Sequence, residues 1–226
     1  MIEISSNQAT IPYNNISRGA STNGYVDKLI NFLEEHYASF PKAYTVSINE
    51  SEEDISEKLY LHLQRQSRLT EAPFDFQPEA RQKLPNAKGY TRRADLGVNL
   101  NTFDINMELI YCIEAKRLPT DKFLGAREKE YVIGNYGGIQ RFKENLHGMN
   151  RTGNLLERNG MVGYVQQNDF AHWYQKINKW ITDEPTWSNT ETLQKVSFGT
   201  IAKLESTHTR ISNDNLKLTH FWINLC

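Results

Sequence analysis

Cysteine is scarce in this chain of 226 residues, which carries only Cys112 and Cys226. Two cysteines cannot build the disulfide framework of a small secreted protein, and they are typical of a reducing compartment. No spacing of Cys and His residues fits a zinc site. The first residues, MIEISSNQ, lack the basic and apolar regions of a secretory signal. We therefore expect a cytoplasmic protein.

Long apolar runs are also missing, since the longest extends only from Leu109 to Ile113. A membrane-spanning helix needs about 20 apolar residues, so no contact with a membrane is expected. The Gly-x-Ser-x-Gly and P-loop motifs are absent, which argues against a serine hydrolase and an NTPase. Because internal repeats and low-complexity linkers are absent too, residues 1–226 are predicted to form one domain, with residues 1–22 as a loose polar arm.

The chain as a whole has no large excess of positive or negative charge, but its charges are unevenly distributed. The formal net charge is −1. Residues 1–57 carry 9 acidic and 3 basic side chains, whereas residues 58–158 carry 12 acidic and 17 basic ones. The stretch from Arg81 to Ala94 holds five basic residues and no acidic one. Such a stretch can hold an anionic polymer near a cation-binding site, although a solvated surface loop has the same composition.

Hydrophobic periodicity predicts a mixture of helices and strands. Helices are predicted at 23–40, 51–68, 122–132, 138–147 and 170–181. Strands are predicted at 44–48, 93–100, 107–116, 161–166, 196–205 and 216–225. The proline-containing segment 70–92 is expected to be mostly loop. This mixture predicts an α/β or α+β fold, in which helices cover both faces of a central sheet.

Two neighbouring strands carry the residues with the clearest chemistry. Alternation along the second strand puts Glu114 and Lys116 on one face at its end, about 7 Å apart, with the carbonyl group of Ala115 between them. Asp95 lies on the polar face of the preceding strand, and a turn at 101–104 would pair the two strands. Two carboxylates and a carbonyl oxygen are hard ligands suited to Mg²⁺, and a nearby lysine could orient or deprotonate a metal-bound water.

The run Arg-Arg-Ala-Asp95, followed by Ile-Glu114-Ala-Lys116, resembles the motif of the PD-(D/E)XK nuclease superfamily. The resemblance implies a restriction-endonuclease-like fold with a mixed central sheet flanked by helices. It also implies that Asp95, Glu114 and the Ala115 carbonyl bind Mg²⁺ or Mn²⁺, and that Lys116 assists the attacking water. The implied activity is endonucleolytic hydrolysis of phosphodiester bonds, with DNA as the expected substrate and RNA as the alternative.

The resemblance extends to both sides of the motif. Many members of the superfamily carry an acid in the first turn of a preceding helix. The corresponding residue here is Glu52, which is predicted to complete the metal shell, with Glu53 and Asp54 as alternatives. Downstream, Gln140 could hydrogen-bond the water or a metal ligand. The pair Gly137-Gly138 could offer backbone N–H groups to a phosphate.

Five side chains are candidates for nucleic-acid binding, because they lie beside the motif, near the start of the downstream helix or near the end of a late strand. They are Arg92, Arg93, Arg141, His208 and Arg210. Ordinary surface solvation is the alternative for the arginines that precede the motif. The superfamily makes bacterial or phage defence the expected setting, with a homodimer or a partner subunit of a larger defence complex as the expected assembly. The alternative function is a non-catalytic subunit of the same fold that binds nucleic acid or protein.

Overall fold

The computed structural model describes residues 20–82, 92–101, 108–120, 127–134 and 136–226. In these residues, four α-helices flank one mixed seven-stranded sheet. The helices are α1 (Ala20–Ala43), α2 (Glu52–Leu69), α3 (Gly138–Lys143) and α4 (Phe170–Thr182). The strands are β1 (Phe74–Gln82), β2 (Arg92–Leu100), β3 (Leu109–Leu118), β4 (Arg158–Val165), β5 (Gln194–Phe198), β6 (Ile201–Thr209) and β7 (Asn215–Asn224). The predicted mixture of helices around a central sheet is therefore confirmed.

The strand order places the candidate residues at one end of the sheet. The order is β1-β2-β3-β4-β7-β6-β5, with β3, β4 and β7 parallel and the other neighbours antiparallel. As predicted, β2 and β3 pair, with Leu96 opposite Ile113. Because this pair is antiparallel, the start of β2 lies beside the end of β3. Asp95 is thereby brought next to Glu114 and Lys116.

Both faces of the sheet are buried under helices, as is usual where the central strands are parallel. On one face, Ile113 of β3 belongs to the same core as Leu33 of α1 and Leu59 of α2. On the other face, Cys112 shares a core with Phe142 of α3 and with helix α4. Burial of each large apolar side chain contributes about 1.5–3 kcal/mol, so these two cores fix the helices on the sheet.

Helix α2 is positioned by its cap and by its apolar stripe. The hydroxyl of Ser51 caps the helix, since it accepts the N–H of Asp54 at 3.0 Å and donates to its carboxylate at 2.8 Å. Ile55 and Leu59 are buried against the sheet. This packing directs the first turn of α2, with Glu52, toward the end of β3.

The segment expected to be loop at 70–92 contains a strand, so that expectation is wrong over β1. Proline removes a ladder hydrogen bond, but Pro78 is tolerated because β1 is an edge strand. Glu79 has a φ of 47°, yet the register is unchanged across it, with Pro78 opposite Leu96 and Ala80 opposite Ala94. The strand predicted at 44–48 is also wrong, since these residues form coil and a turn that packs partly against the core.

The N-terminal helix is longer than its periodicity indicates. Helix α1 begins at Ala20 and includes Pro41 in its last turn, whereas the apolar spacing predicts a helix only over 23–40. Of the predicted arm at 1–22, residues 1–19 lie outside the described residues, and the rest belongs to α1. None of the helices in the described ranges is long and apolar enough to cross a membrane.

Three later predictions differ from the structure in extent. Of the helix predicted at 122–132, residues 122–126 lie outside the described residues and the remainder forms turns. The helix predicted at 138–147 ends at Lys143. The single strand predicted at 196–205 is a pair of antiparallel strands that turns near Gly199. Part of the predicted 101–104 turn lies outside the described residues, although the strands that it joins do pair.

Candidate active site

The ammonium group of Lys116 lies at the centre of a polar cluster at the end of β3. Its Nζ donates to the carbonyl oxygen of Ala115 at 2.8 Å, to Glu114 Oε1 at 3.0 Å and to Glu52 Oε1 at 3.1 Å. These three bonds match the three N–H donors of an ammonium group. The side chains of Lys116 and Glu114 are only 6% and 3% exposed. Lys116 therefore links α2 to β3 through buried charges.

Asp95 joins the cluster from β2. Its Oδ2 accepts the backbone N–H of Ala115 at 2.7 Å. Burial, together with the charge of Glu114, raises the pKa of Asp95 to about 8. This raised pKa favours the protonated form of Asp95 near neutral pH. A cation that binds its carboxylate would displace a proton.

Among the three acids in the first turn of α2, Glu52 is the one whose carboxylate reaches β3. Its Oε1 accepts from Lys116, and its Oε2 accepts the backbone N–H of Arg117 at 3.0 Å. Asp54 is engaged instead with the helix cap. Glu53 lines a neighbouring cleft. Of the three alternatives, Glu52 is thus the acid that the structure places at the end of β3.

This cleft opens beside Asp95 and has a volume of about 360 Å³. Its walls come from α2 and β1 and carry four further acids, which are Glu52, Glu53, Glu57 and Glu79. A concentration of negative charge repels phosphate groups and attracts cations. An anionic polymer that approaches Asp95 from this side needs cations to offset the repulsion.

Glu114 is buried and is surrounded by nitrogen atoms. Arg141 Nη1 donates to Glu114 Oε1 at 2.9 Å, and His147 Nδ1 lies 3.4 Å from Glu114 Oε2. Burial opposes ionisation of Glu114, but Lys116, His147 and Arg141 hold its pKa below the usual value. Burial likewise opposes the charge of Lys116, yet the carboxylates of Glu114, Glu52 and Asp95 raise its pKa above the usual value. Both groups are therefore charged at neutral pH.

The oxygen atoms predicted to bind Mg²⁺ converge on one cation in the structure, and that cation is the ammonium group of Lys116. Three of the four predicted donors, from Glu52, Glu114 and the Ala115 carbonyl, contact its Nζ. Among the described residues, no three Asp, Glu, His or Cys side chains form a group that could hold a metal ion. The donors are hard oxygens of the kind that Mg²⁺ prefers, so their chemistry fits a divalent cation that competes with the ammonium.

The three candidate arginines near the motif differ in their surroundings. Arg141 is held by Glu114. Arg93 is exposed and pairs with Glu79 at 2.6 Å, and exposed pairs of this kind are weak. Arg92 is partly buried, and its charge acts on His147. Arg92 and Arg93 thus lie at the start of the strand that carries Asp95.

The structure does not bring His208 and Arg210 to this cluster. His208 is buried, with Nδ1 3.0 Å from Glu191 Oε2 and Nε2 2.7 Å from the hydroxyl of Ser206. Arg210 is also buried and donates to Asp214 and to the carbonyl of Leu156. Both side chains are occupied by protein groups at the far end of β6, where they stabilise the fold.

Gln140 is likewise not brought to the cluster. Its Oε1 accepts the N–H of Gly134 at 2.9 Å, and its Nε2 donates to Glu144 at 2.6 Å. The N–H groups of Gly137 and Gly138 donate to carbonyl oxygens of the same loop. The predicted phosphate cradle is therefore wrong, because its donors are already used.

His147 is a site residue that sequence reasoning misses. It follows α3 in a turn where Asn145 has φ of 57° and Gly148 has φ of 76°. That turn places His147 against Glu114, which belongs to another element. No motif or periodic pattern in the sequence marks this contact. The glycine after the histidine is the nearest signal, and it indicates only a turn.

Comparison with known proteins gives no independent guide to this site. No family model matches the chain, and no curated protein or solved structure matches it either. The geometry and charges described above therefore carry the functional argument.

Proposed function

We propose that this protein is a metal-dependent endonuclease of the restriction-endonuclease-like fold that hydrolyses phosphodiester bonds of DNA. The observation that carries the proposal is the convergence of Glu52, Asp95, Glu114 and Lys116 from α2, β2 and β3. The order of elements supports it. A helix with an acid in its first turn precedes the paired motif strands, and a helix and a strand follow them. The superfamily that the motif resembles has the same arrangement.

In the proposed reaction, Asp95, Glu114, Glu52 and the Ala115 carbonyl would hold Mg²⁺ or Mn²⁺, which would supply Lewis-acid charge at the scissile phosphate. Lys116 keeps its proton, because the surrounding carboxylates raise its pKa. It therefore acts as a hydrogen-bond donor to the attacking water or to a phosphate oxygen, and it stabilises negative charge there. Arg141, which lies on α3, donates a hydrogen bond to the Glu114 carboxylate and so fixes its position.

A nucleic acid is proposed as the polymer because basic side chains lie beside the acidic cluster, and DNA is chosen because the motif resembles that of the nuclease superfamily. Arg92 and Arg93 stand at the start of β2, in the strand that carries Asp95. The exposed pair of Arg93 with Glu79 is weak enough to exchange for a phosphate contact. The proposed setting is cytoplasmic antiviral defence, in which the protein acts as a homodimer or with a partner subunit of a larger complex.

The test is to incubate the purified protein with supercoiled and linear DNA in Mg²⁺, in Mn²⁺ and in EDTA. Lys116→Ala is expected to lower the cleavage rate at least ~100-fold, since removal of a group that acts on the reacting atoms typically costs 10²–10⁴ in rate. Lys179→Ala is the matched control, because Lys179 makes only an exposed pair with Asp183 on α4. Double-strand breaks rather than nicks would indicate a dimer.

The other outcomes of this test are equally decisive. If the Lys116→Ala protein cuts DNA as fast as the wild type, the site assignment is wrong. If RNA is cut and DNA is not, the polymer is RNA, and a parallel RNA reaction is therefore included. If no nucleic acid is cut under any condition, the enzyme proposal fails.

A non-catalytic subunit of the same fold is the second candidate, and one observation favours it. The ammonium of Lys116 already bonds three of the four predicted metal donors. Such a subunit would bind DNA in EDTA without cutting it in Mg²⁺. Fluorescence anisotropy should then show weaker binding for Arg92→Ala and unchanged binding for Lys116→Ala.

A further inference from the structure

A buried histidine faces the buried carboxylate of Glu114. His147 is fully buried, and its Nδ1 lies 3.4 Å from Glu114 Oε2. Within the described part of the chain, neither ring nitrogen of His147 has a hydrogen-bond partner, and Glu114 Oε2 has none either. Buried polar atoms are normally paired, so two such atoms that face each other indicate a specific interaction.

The chain holds His147 firmly in this place. The carbonyl oxygen of Arg141 accepts the N–H of Leu146 at 2.8 Å and the N–H of His147 at 3.2 Å. The imidazole ring packs edge-on against Phe142, with 5.8 Å between ring centroids. The guanidinium of Arg141 donates to Glu114 Oε1. One short segment thus presents two groups to the two oxygens of the same carboxylate.

The surroundings of His147 determine which form of the imidazole fits there. Nδ1 of His147 lies beside Glu114 Oε2, and an ionised carboxylate oxygen can only accept a hydrogen bond. A neutral ring presents either an N–H or a lone pair at Nδ1, and a lone pair would repel the carboxylate.

We propose that His147 is a positioning residue that donates its Nδ1–H to Glu114 Oε2 and thereby keeps Oε1 turned toward Lys116. The inference rests on the proposed function, in which Glu114 is a metal ligand. It adds to that site a residue that touches neither the substrate nor the cation. Groups that orient metal ligands through hydrogen bonds typically contribute about 10–100-fold to metal affinity or activity.

The first experiment measures DNA cleavage by His147→Leu and by His147→Asn, which differ little in size. The asparagine amide retains an N–H donor and leucine has none. We expect kcat to fall about 10–100-fold in His147→Leu with KM unchanged, and to recover in His147→Asn. If kcat falls equally in both variants, along with their melting temperatures, the role is only structural. A wild-type kcat in His147→Leu also overturns the proposal.

The second experiment does not depend on activity. Long-range ¹H–¹⁵N NMR spectra of the labelled protein in EDTA distinguish the two neutral histidine tautomers from the imidazolium form. Six histidines are present, and the signals of His147 are those missing from His147→Asn. We expect a proton on Nδ1 at pH 7, as in the Nδ1–H tautomer or the imidazolium, and an Nε2–H tautomer overturns the contact. If the wild type cuts no nucleic acid, the proposed function fails, while the tautomer still decides this contact.

Discussion

Removal of the Lys116 ammonium should destabilise the fold by several kilocalories per mole. Lys116→Met keeps most of the apolar stem but leaves Glu52 Oε1 and the Ala115 carbonyl without this donor. Loss of one partner from a buried ion pair costs about 3–5 kcal/mol. Arg141 still pairs with Glu114, so we expect the lower end, about 3 kcal/mol. For a chain of this size, that corresponds to a fall in melting temperature of about 6–12 °C.

The assay is urea unfolding in EDTA, followed by tryptophan fluorescence. Trp173 and Trp222 are buried and report on the core around α4 and β7. Lys116→Met should shift the urea midpoint without a change in the slope, because the surface exposed on unfolding stays the same. Lys179→Met is the control, and it should cost less than about 0.5 kcal/mol because its ion pair is exposed.

A double variant separates the ion pair from general damage to the core. In the combined Glu114→Gln and Lys116→Met protein, the loss should be smaller than the sum of the two single losses, since neither charge is then left alone. A loss below about 1 kcal/mol in Lys116→Met would refute the reasoning, because the buried carboxylates would not then depend on the ammonium.

Two further predictions concern residues that lie away from the cluster. Gln140→Ala should leave the DNA cleavage rate unchanged, because the oxygen and the nitrogen of its side-chain amide are both hydrogen-bonded to groups near α3. A fall of about 10-fold or more in the cleavage rate would show that Gln140 does act in the site. Burial would raise the pKa of Glu191, but His208 and Lys143 lower it from 4.5 to about 2. Its contribution to stability is therefore present above pH 4.5 and is lost as the pH falls toward 2. Glu191→Gln should reduce the difference in urea stability between pH 6 and pH 3, and an undiminished difference would contradict the assignment.

The strands and helices that the sequence predicts well are those whose signals are local. The cap at Ser51 and the apolar spacing after it define α2 without reference to the rest of the chain. Alternation fails at the start of β3, where Val98 pairs with Tyr111 but Asn99 pairs with Leu109. This bulge moves Leu109 to the face of Cys112, opposite to the face that simple alternation predicts. A bulge depends on strand pairing, which no residue pattern records.

The residues of the candidate site also differ in whether local signals in the sequence predict their positions. Glu114 and Lys116 share the end of β3 through alternation, and the pairing of adjacent strands brings Asp95 beside them. Both of these features can be read from the sequence. The positions of His147 and Gln140 depend instead on the path of the chain after β3. Packing between distant segments fixes that path, including a 2.9 Å hydrogen bond between Tyr131 and His220. The sequence also gives no sign that His208 is buried and already paired.

Metal binding and catalysis should respond in opposite directions to the loss of Lys116. The oxygens of Glu52, Glu114 and Ala115 that bind its ammonium are the donors proposed for Mg²⁺, so a divalent cation must displace the ammonium or share its ligands. Lys116→Ala should therefore bind Mg²⁺ and Mn²⁺ more tightly than the wild type in isothermal titration, although its DNA cleavage is lost. Glu114→Gln should weaken binding, because it removes a charged donor. If Lys116→Ala binds the metal less tightly than the wild type, the cation does not use these donors, and the proposed metal site is wrong even if the protein cuts DNA.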